Sequence, residues 1–332
     1  MIYLKPYFYD DFRCKADKCT DTCCAGWEVD IDAESFEKYK NVNGEFGKRL
    51  NDSIVYAEDI PCFRLCESER CVFLNQNNLC DIYSKLGEEY LCEICREHPR
   101  FYNCFENVTE MGLGLCCEKV CEMIFSSDET MMFVSDGDDE YVDDEYKLYS
   151  FIRMNCFEII ADREKSLKDR INQLILYGIY VENEFFGDCI SAVINNDFNV
   201  IAQSVIELFL STEPINEEWT GFVGDFENNL KSYINISDKV YAEKYEQILT
   251  YILYRHFMKS IEDTNVLSII CFGVINLIFV YLCDCKTFYD AGKITDQDRI
   301  NNVKLWSKQI EYSEMNTQMI IDDSVDILLV NK

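Results

Sequence analysis

The residues of this chain best suited to chemistry are its cysteines, which crowd into its first 121 residues. Of 19 cysteines in 332 residues, 14 fall between Cys14 and Cys121. Thiols at this density form a disulfide framework or a metal or cluster site, or they stay free and pack as small apolar groups. The N-terminus lacks the basic and apolar regions of a secretory signal, so we expect a cytosolic chain with reduced thiols. The sequence therefore favours metal or iron–sulfur ligation.

The spacing of these thiols suits a soft metal. Two spaced groups stand out: Cys19, Cys23 and Cys24, then Cys71, Cys80, Cys92 and Cys95. Thiolates select zinc or iron–sulfur clusters, and either takes four such ligands. The two histidines, His98 and His256, are too few for a mixed Cys–His framework, so iron–sulfur is favoured over zinc. Other thiols are expected to be buried and inert: Cys14, Cys156, Cys189, Cys271, Cys283 and Cys285.

The net charge of the chain limits the classes of molecule that it is expected to bind. The formal net charge is −30, from 61 acidic and 31 basic residues. Such a surface repels phosphate backbones, which argues against nucleic-acid binding. It attracts cationic partners, including exposed lysine side chains, although solubility alone would also explain it.

The elements that must position the thiols are predicted to be mainly helical. We expect a Cys-rich metal- or cluster-binding part at residues 1–125, an acidic linker at 126–146 and a helical bundle at 147–332. The linker carries nine acids and no base, a pattern typical of a solvated segment. Apolar residues after 147 recur at three- and four-residue steps, which indicates amphipathic helices. The fold class is therefore mainly α, with the Cys-rich part packed on the bundle.

Local sequence signals near the thiols predict a helix start, a turn and a short helix. Asp32 is a candidate N-cap for a helix that follows it. The segment between Cys71 and Cys80 is expected to be a turn, because its asparagines tolerate tight backbone geometry. Residues 81–91 are expected to form one short helix leading into Cys92.

One apolar segment raises the question of a membrane span. Residues 266–283 contain 18 residues without a charge, which is at the lower limit of a spanning helix. Polar residues interrupt it, and acidic residues flank both ends. We therefore interpret it as a fully buried helix and expect no membrane association.

The cysteine pattern resembles that of the flagellin lysine-N-methylase family. Residues 71–100, CVFLNQNNLCDIYSKLGEEYLCEICREHPR, resemble the family's cysteine core. Residues 14–32 resemble its opening CxxxCC–GW–ID motif, and residues 112–121 and 299–316 resemble two later segments. Short pieces also resemble small zinc- or iron-binding cysteine-box proteins, which lack the long helical part.

This resemblance implies an enzyme that carries an iron–sulfur cluster, of the 4Fe–4S type. It would transfer methyl groups from S-adenosylmethionine to lysine ε-amines of flagellin. The implied ligands are Cys19, Cys23, Cys71, Cys80 and Cys95, with Cys24 and Cys116 as alternates. Extra thiols at four other positions leave open which four bind, and they leave room for two metals: Cys62, Cys66, Cys92 and Cys121.

The sequence contains none of the usual motifs that bind a nucleotide-like cosubstrate. No GxGxxG follows a predicted strand, and the chain has no serine or cysteine triad because histidine is scarce. Arg96 and Arg100 beside Cys95 are candidates to bind the cosubstrate carboxylate, to neutralise an anionic cluster or to form a surface salt bridge. The alternative to an enzyme is a non-catalytic zinc- or iron-binding protein that acts as a binding module or metal carrier.

Overall fold

The computed structural model describes residues 1–27, 29–57, 59–66, 69–137, 142–240, 244–262 and 265–331. This part of the chain is mainly α, as predicted. The short helices of the first half are α1 (Ala33–Lys40), α2 (Gly44–Asp52), α3 (Asp81–Leu86), α4 (Glu93–Glu97) and α5 (Glu118–Phe125). The helices of the second half are α6 (Asp144–Ala161), α7 (Leu167–Val181), α8 (Phe198–Ser211), α9 (Glu217–Gly224), α10 (Phe226–Ile234), α11 (Lys244–His256), α12 (Val266–Ala291), α13 (Asp296–Ile310) and α14 (Glu314–Leu328).

The strands form small sheets that tie distant parts of the chain together. They are β1 (Ile2–Pro6), β2 (Val29–Asp30), β3 (Ile54–Ala57), β4 (Ile60–Phe63), β5 (Arg100–Cys104), β6 (Val108–Leu113), β7 (Phe133–Asp136), β8 (Ala192–Ile194) and β9 (Leu329–Asn331). One sheet has the order β5-β6-β1-β7, in which β1 runs parallel to β6 and antiparallel to β7. A second has the order β2-β4-β3, and β8 pairs with β9.

The buried apolar side chains fall into two cores. The larger core joins the helices of the second half to the chain's start, to β6 and to α5. The smaller core lies under the thiol-bearing loops and is built around Tyr39, Leu50, Phe63, Phe73 and Ile82. The first residues of the chain thus pack with the helical part, while residues 29–95 form a core of their own.

The predicted linker contains ordered structure. Its strand β7 pairs with β1, and Tyr146 at its end is buried and donates a hydrogen bond to Glu110, 2.8 Å away. Glu110 also accepts a hydrogen bond from Arg153, 2.9 Å away, inside the larger core. The domain boundaries at 125 and 146 remain predictions, but this segment is tied to the sheet and to α6.

Helix α12 is the centre of the larger core. It is the one helix in the described ranges with the length and apolarity to cross a membrane, and 83% of its most apolar window is buried inside the protein. It contacts α7, α8, α10, α11, α13 and α14. The prediction of a buried helix is therefore confirmed, because neighbouring helices cover most of its surface.

Two local predictions near the thiols have different outcomes. Asp32 caps α1 as expected, since its carboxylate accepts a hydrogen bond from the backbone N–H of Ser35 at 2.8 Å. The single helix predicted over 81–91 is wrong, because α3 ends at Leu86. Gly87 follows with φ of 101°, in the region that favours glycine, and this turns the chain into a separate short 3₁₀ segment.

The expectation that the remaining thiols are buried holds for most of them. Four lie in the larger core: Cys156, Cys271, Cys283 and Cys285. Burial raises the pKa of Cys271, which keeps it a neutral thiol. The expectation is wrong for Cys14 and Cys189, which are exposed, because neither lies on the buried face of a helix.

Candidate thiol site and adjoining cleft

The loops that carry the thiols are held by short backbone pairings. The N–H of Cys71 donates to the carbonyl of Cys24 at 2.8 Å, which joins the first thiol group to the second. The predicted turn after Cys71 is confirmed. The side chain of Asn75 accepts hydrogen bonds from the backbone of Asn77 and Leu79, at 2.9 and 3.2 Å. This tight hairpin brings Cys80 back beside Cys71.

Two more thiols stand at the starts of short helices. Cys80 precedes α3 and Cys92 precedes α4, and Cys95 lies inside α4. Backbone N–H groups of the first turn of α3 donate to the Cys80 sulfur, which opposes the rise in its pKa that burial causes. Asp32 links these elements, because its second carboxylate oxygen accepts from the backbone N–H of Glu93 at 2.8 Å. One residue thereby fixes the starts of both α1 and α4.

The loops converge on one small cavity. It has a volume of about 50 Å³ and is lined by six cysteines: Cys23, Cys24, Cys71, Cys80, Cys92 and Cys95. Trp27, His98 and apolar side chains of the smaller core complete the wall. Among the described residues, no three His, Cys, Asp or Glu side chains meet closely enough to hold a single metal ion. The thiols thus surround a cavity, and no three of them converge on one position that a single ion could occupy.

The donor chemistry of this cavity fits a soft metal or cluster. The thiols of Cys23 and Cys24 interact with each other, as do those of Cys92 and Cys95. The hydrogen bond from Cys23 lowers the pKa of Cys24 to about 7, despite its burial. Cys92 also has a lowered pKa, whereas burial raises the pKa of Cys71 to about 12. Binding of a metal or cluster would draw protons from the thiols that are still neutral.

Two of the predicted ligands lie outside this cavity. Cys19 lies towards α5, where its thiol donates to the carbonyl of Asp21 at 2.7 Å. Cys116 is buried beside α14, with its sulfur 2.9 Å from the hydroxyl of Tyr312. The structure brings together five of the seven predicted ligands and adds Cys92, which the CxxC spacing had indicated.

A larger cleft adjoins the thiol cavity. It has a volume of about 640 Å³ and shares Cys23, Trp27 and His98 with the cavity wall. Helix α13 supplies the opposite wall through Lys304 and Lys308. A cleft of this volume is within the range of small-molecule sites. The shared residues mean that a molecule in the cleft would lie next to the thiols.

The cleft holds charges of both signs. Lys308 pairs with Asp21 at 2.6 Å, and the buried ammonium of Lys304 makes longer contacts of 3.4 Å with Asp21 and Glu118. Glu218 also lines the cleft. Burial disfavours the ionised form of Glu118, but hydrogen bonds from Lys15 and Thr20 and the charge of Lys304 lower its pKa to about 2. The floor of the cleft is thus a fixed ion-pair network.

Aromatic side chains connect the two halves of the site. Trp27 lies edge-on to His98 and to Tyr312, with ring centroids 5.3 Å apart in each case. Its indole N–H donates to the carbonyl of Cys23 at 2.6 Å. Burial and the nearby charge of Lys308 lower the pKa of His98 to about 4, so the ring is neutral at pH 7. Trp27 thereby covers the thiols on the side that faces the cleft.

The two arginines predicted to bind a cosubstrate lie away from both cavities. Arg96 is partly exposed and pairs with Glu97 at 3.3 Å. The guanidinium of Arg100 stacks over the rings of Tyr9 and Phe12, 5.9 and 5.5 Å away. The sequence indicated neither Lys304 nor Lys308, because no local motif distinguishes a helical lysine that faces a cleft from one that faces solvent.

Comparison with known proteins supports the resemblance to flagellin lysine-N-methylases. The chain is 25% identical over 133 residues to the flagellar biosynthetic protein FliU of Salmonella muenchen, a match covering 38% of this chain and 79% of that protein. It is 24% identical over 138 residues to a lysine-N-methylase of Salmonella typhimurium and 25% identical over 133 residues to one of Salmonella choleraesuis. Each of these matches covers 38% of this chain and 33% of the relative. No family model and no solved structure matches the chain.

Two of these relatives are named lysine-N-methylase, and the third is named a flagellar biosynthetic protein. The matched region is about a third of each lysine-N-methylase, so most of the length of those enzymes has no counterpart in the match. The match therefore does not identify the substrate, the cosubstrate or the cofactor of this chain.

Proposed function

We propose that the protein is a protein-lysine N-methyltransferase. It would transfer methyl groups from S-adenosylmethionine to lysine ε-amines of flagellin in the cytoplasm, with an iron–sulfur cluster on its N-terminal cysteines. The observation that carries this proposal is the six-cysteine cavity that shares a wall with a charged cleft, in a chain similar to lysine-N-methylases.

The ring of thiols supports a cluster more than a single zinc ion. A structural zinc requires four ligands at about 2.0–2.3 Å from one point, whereas a 4Fe–4S cluster distributes its four cysteines over four irons. We assign the ligands to the six thiols of the cavity: Cys23, Cys24, Cys71, Cys80, Cys92 and Cys95. Such a cluster would supply redox chemistry or a Lewis-acidic iron beside the cleft. Cys19 and Cys116 are then not ligands of this cluster.

The cleft has the groups that amine methylation needs. A lysine must react as the free amine, because an ammonium has no lone pair. Carboxylates such as Glu218 would attract the amine and accept its proton, while Trp27 and the loops around it would exclude water. The lysine nitrogen would form its bond to the methyl carbon as the carbon–sulfur bond breaks, and the amine proton would leave to a carboxylate or to water. Orientation of the two reactants is the main contribution of such a site.

The test is methyl transfer from labelled cosubstrate. Protein purified without oxygen, S-adenosylmethionine and flagellin from the same cell should give a mass increase of about 14 Da per methyl group at exposed lysines. Cys80→Ser should lose both metal and activity, and the matched variant Cys271→Ser should keep both. The rate should fall as salt rises, because a chain of −30 charges attracts a lysine-bearing substrate.

Other outcomes would change the proposal in defined ways. Unmodified flagellin with cluster-loaded protein would reject flagellin as the substrate, and methylation of a different protein would keep the chemistry. A colourless protein with stoichiometric zinc would replace the cluster by a zinc site. If S-adenosylmethionine does not bind at all, the metal-binding module or carrier replaces the enzyme.

A further inference from the structure

A third concave surface lies far along the chain from the thiol loops. It is a groove of about 580 Å³ between α6 and α7. Four aromatic rings line it: Phe151, Tyr177, Tyr180 and Phe185. Three of these rings are largely exposed, namely Phe151 at 60%, Tyr180 at 53% and Phe185 at 48%. Aromatic groups exposed together in a concave surface indicate a binding site rather than packing.

The rings of the groove are held in a defined arrangement. Tyr177 and Tyr180 are stacked with centroids 6.3 Å apart, and Phe185 lies edge-on to Tyr180 at 6.2 Å. The hydroxyl of Tyr177 accepts a hydrogen bond from Asn155 at 3.0 Å, which fixes that ring against α6. Phe185 lies on a single π-helical turn, Glu182–Phe186, that follows α7 directly. Such turns frequently occur at functional sites.

The charge of the groove is negative. Glu158 and Asp162 line it, and no basic side chain does. Asp162 pairs at the rim with Lys165, 2.8 Å away. Glu158 is exposed and has no ion-pair partner in the described ranges of the chain. The groove therefore offers a carboxylate beside several aromatic faces, on a chain whose net charge is −30.

We propose that this groove binds the ammonium group of a lysine side chain on a partner protein. A cation is attracted to the faces of tyrosine and phenylalanine by their quadrupoles, and the carboxylate of Glu158 adds a direct charge contact. An apolar side chain would bury the same area but would gain nothing from Glu158. The charge complementarity thus selects a lysine-bearing segment over an apolar peptide.

This binding surface does not depend on the methyltransferase proposal. The groove is built from α6 and α7, and it shares no lining residue with the thiol cavity or the cleft. Binding can be measured without cosubstrate, metal loading or turnover, so failure here is distinct from failure of methyl transfer.

The experiment titrates the full chain into a fluorescently labelled helical peptide that has lysines four residues apart. Fluorescence anisotropy of the peptide measures the binding. A matched peptide with glutamine at the lysine positions is the reference. We expect the lysine peptide to bind more tightly than the glutamine peptide and to weaken from low salt to about 0.15 M. Tyr180→Leu keeps an apolar side chain but removes the ring face, and Glu158→Gln removes the charge. Each should weaken binding of the lysine peptide at least about threefold.

Leu176 provides the matched control, because it lies on α7 with 54% exposure and does not line the groove. Leu176→Ala should leave binding unchanged. Equal binding of both peptides, equal weakening by Leu176→Ala and Tyr180→Leu, or no binding of the lysine peptide would each overturn the proposal. Thermal melts of the three variants should coincide with that of the parent chain, which separates binding loss from unfolding.

Discussion

The same residue type serves different purposes in the two cores. In the larger core, Cys156, Cys271 and Cys285 lie among helices as buried thiols, and burial raises their pKa values. In the smaller core, cysteines gather around one cavity, where neighbouring thiols lower the pKa of Cys24 and Cys92. A cysteine buried alone packs as an apolar group, whereas thiols gathered around one cavity are the arrangement that the proposed cluster requires.

The comparison also concerns stability. The larger core is built on α12, most of whose surface is covered, and it can fold on apolar burial. The smaller core has nine buried apolar residues in the described ranges, and six of them line the cavity: Val29, Phe63, Cys71, Phe73, Ile82 and Cys92. A core of that size usually requires a metal or a cross-link. We therefore expect the two regions to respond differently to loss of metal and to loss of ion pairs.

The largest effect is expected from removing a cavity thiol. Cys80→Ser and Cys95→Ser should bind less than about a tenth of the parent's metal, because each removes a ligand whose binding is coupled to folding. Limited proteolysis should then cut within residues 29–95 and spare α12. Metal analysis and mass spectrometry of the fragments measure both results.

The control substitutions for Cys80→Ser and Cys95→Ser replace thiols that lie outside the cavity. Cys271→Ser places a hydroxyl in the larger core and should cost about 1–3 kcal/mol of unfolding free energy while metal content stays full. Cys189→Ser, at an exposed position, should change neither quantity. Full metal in both cavity variants would contradict the ligand assignment.

The next effect concerns the larger core alone. Glu110→Gln leaves the guanidinium of Arg153 buried beside a neutral side chain, and we expect a loss of about 3–5 kcal/mol of unfolding free energy. Urea denaturation followed by circular dichroism measures it. Metal content should remain that of the parent chain.

An exposed ion pair is the reference for Glu110→Gln. Glu34 pairs with Lys38 on the surface of α1, so Glu34→Gln should leave the unfolding free energy close to that of the parent chain. Equal losses in the two variants would show that burial of the Glu110 pair is not the cause.

A smaller effect is expected from acid, at the contact between the two regions. The pKa of Glu118 is lowered from 4.5 to about 2 in the folded protein. Its ionised form therefore stabilises the fold fully above pH 4.5, and this contribution disappears as the pH falls towards 2. The contribution amounts to at most about 3–4 kcal/mol, at about 1.4 kcal/mol per pH unit.

The measurement is urea denaturation at a series of pH values. The parent chain should lose more stability between pH 5 and about pH 3 than Glu118→Gln does, because the variant has no carboxyl group to protonate. Identical slopes in the two proteins would show that the network around Lys304 does not stabilise the contact.

The smallest effect is expected at the cover of the thiol cavity. Trp27→Phe removes the N–H donated to the carbonyl of Cys23 but retains an aromatic ring. We expect a loss of about 1 kcal/mol and a faster loss of metal to a chelator, with metal content before chelation unchanged. Tyr102→Phe, at an exposed ring away from the cavity, is the control and should leave the chelation rate as it was.

Much of the site could be predicted from the sequence. The cysteine spacings indicated all six cavity thiols, the asparagines after Cys71 predicted the turn, and Asp32 predicted a helix start. These signals are local, because caps and turns depend on neighbouring residues. Gly87 was the exception, since a glycine inside an apolar period can either continue a helix or end it.

What only the tertiary structure decided is which distant residues meet. Lys308 contacts Asp21 across most of the length of the chain, and Tyr180 and Phe151 line one groove because α6 and α7 pack side by side. The sequence by itself determined the helical class, the buried α12 and the thiol-rich segment, since composition and periodicity dictate which surfaces must be buried. It could not determine the cleft or the groove, because periodicity identifies the buried face of a helix but not the partner that covers it.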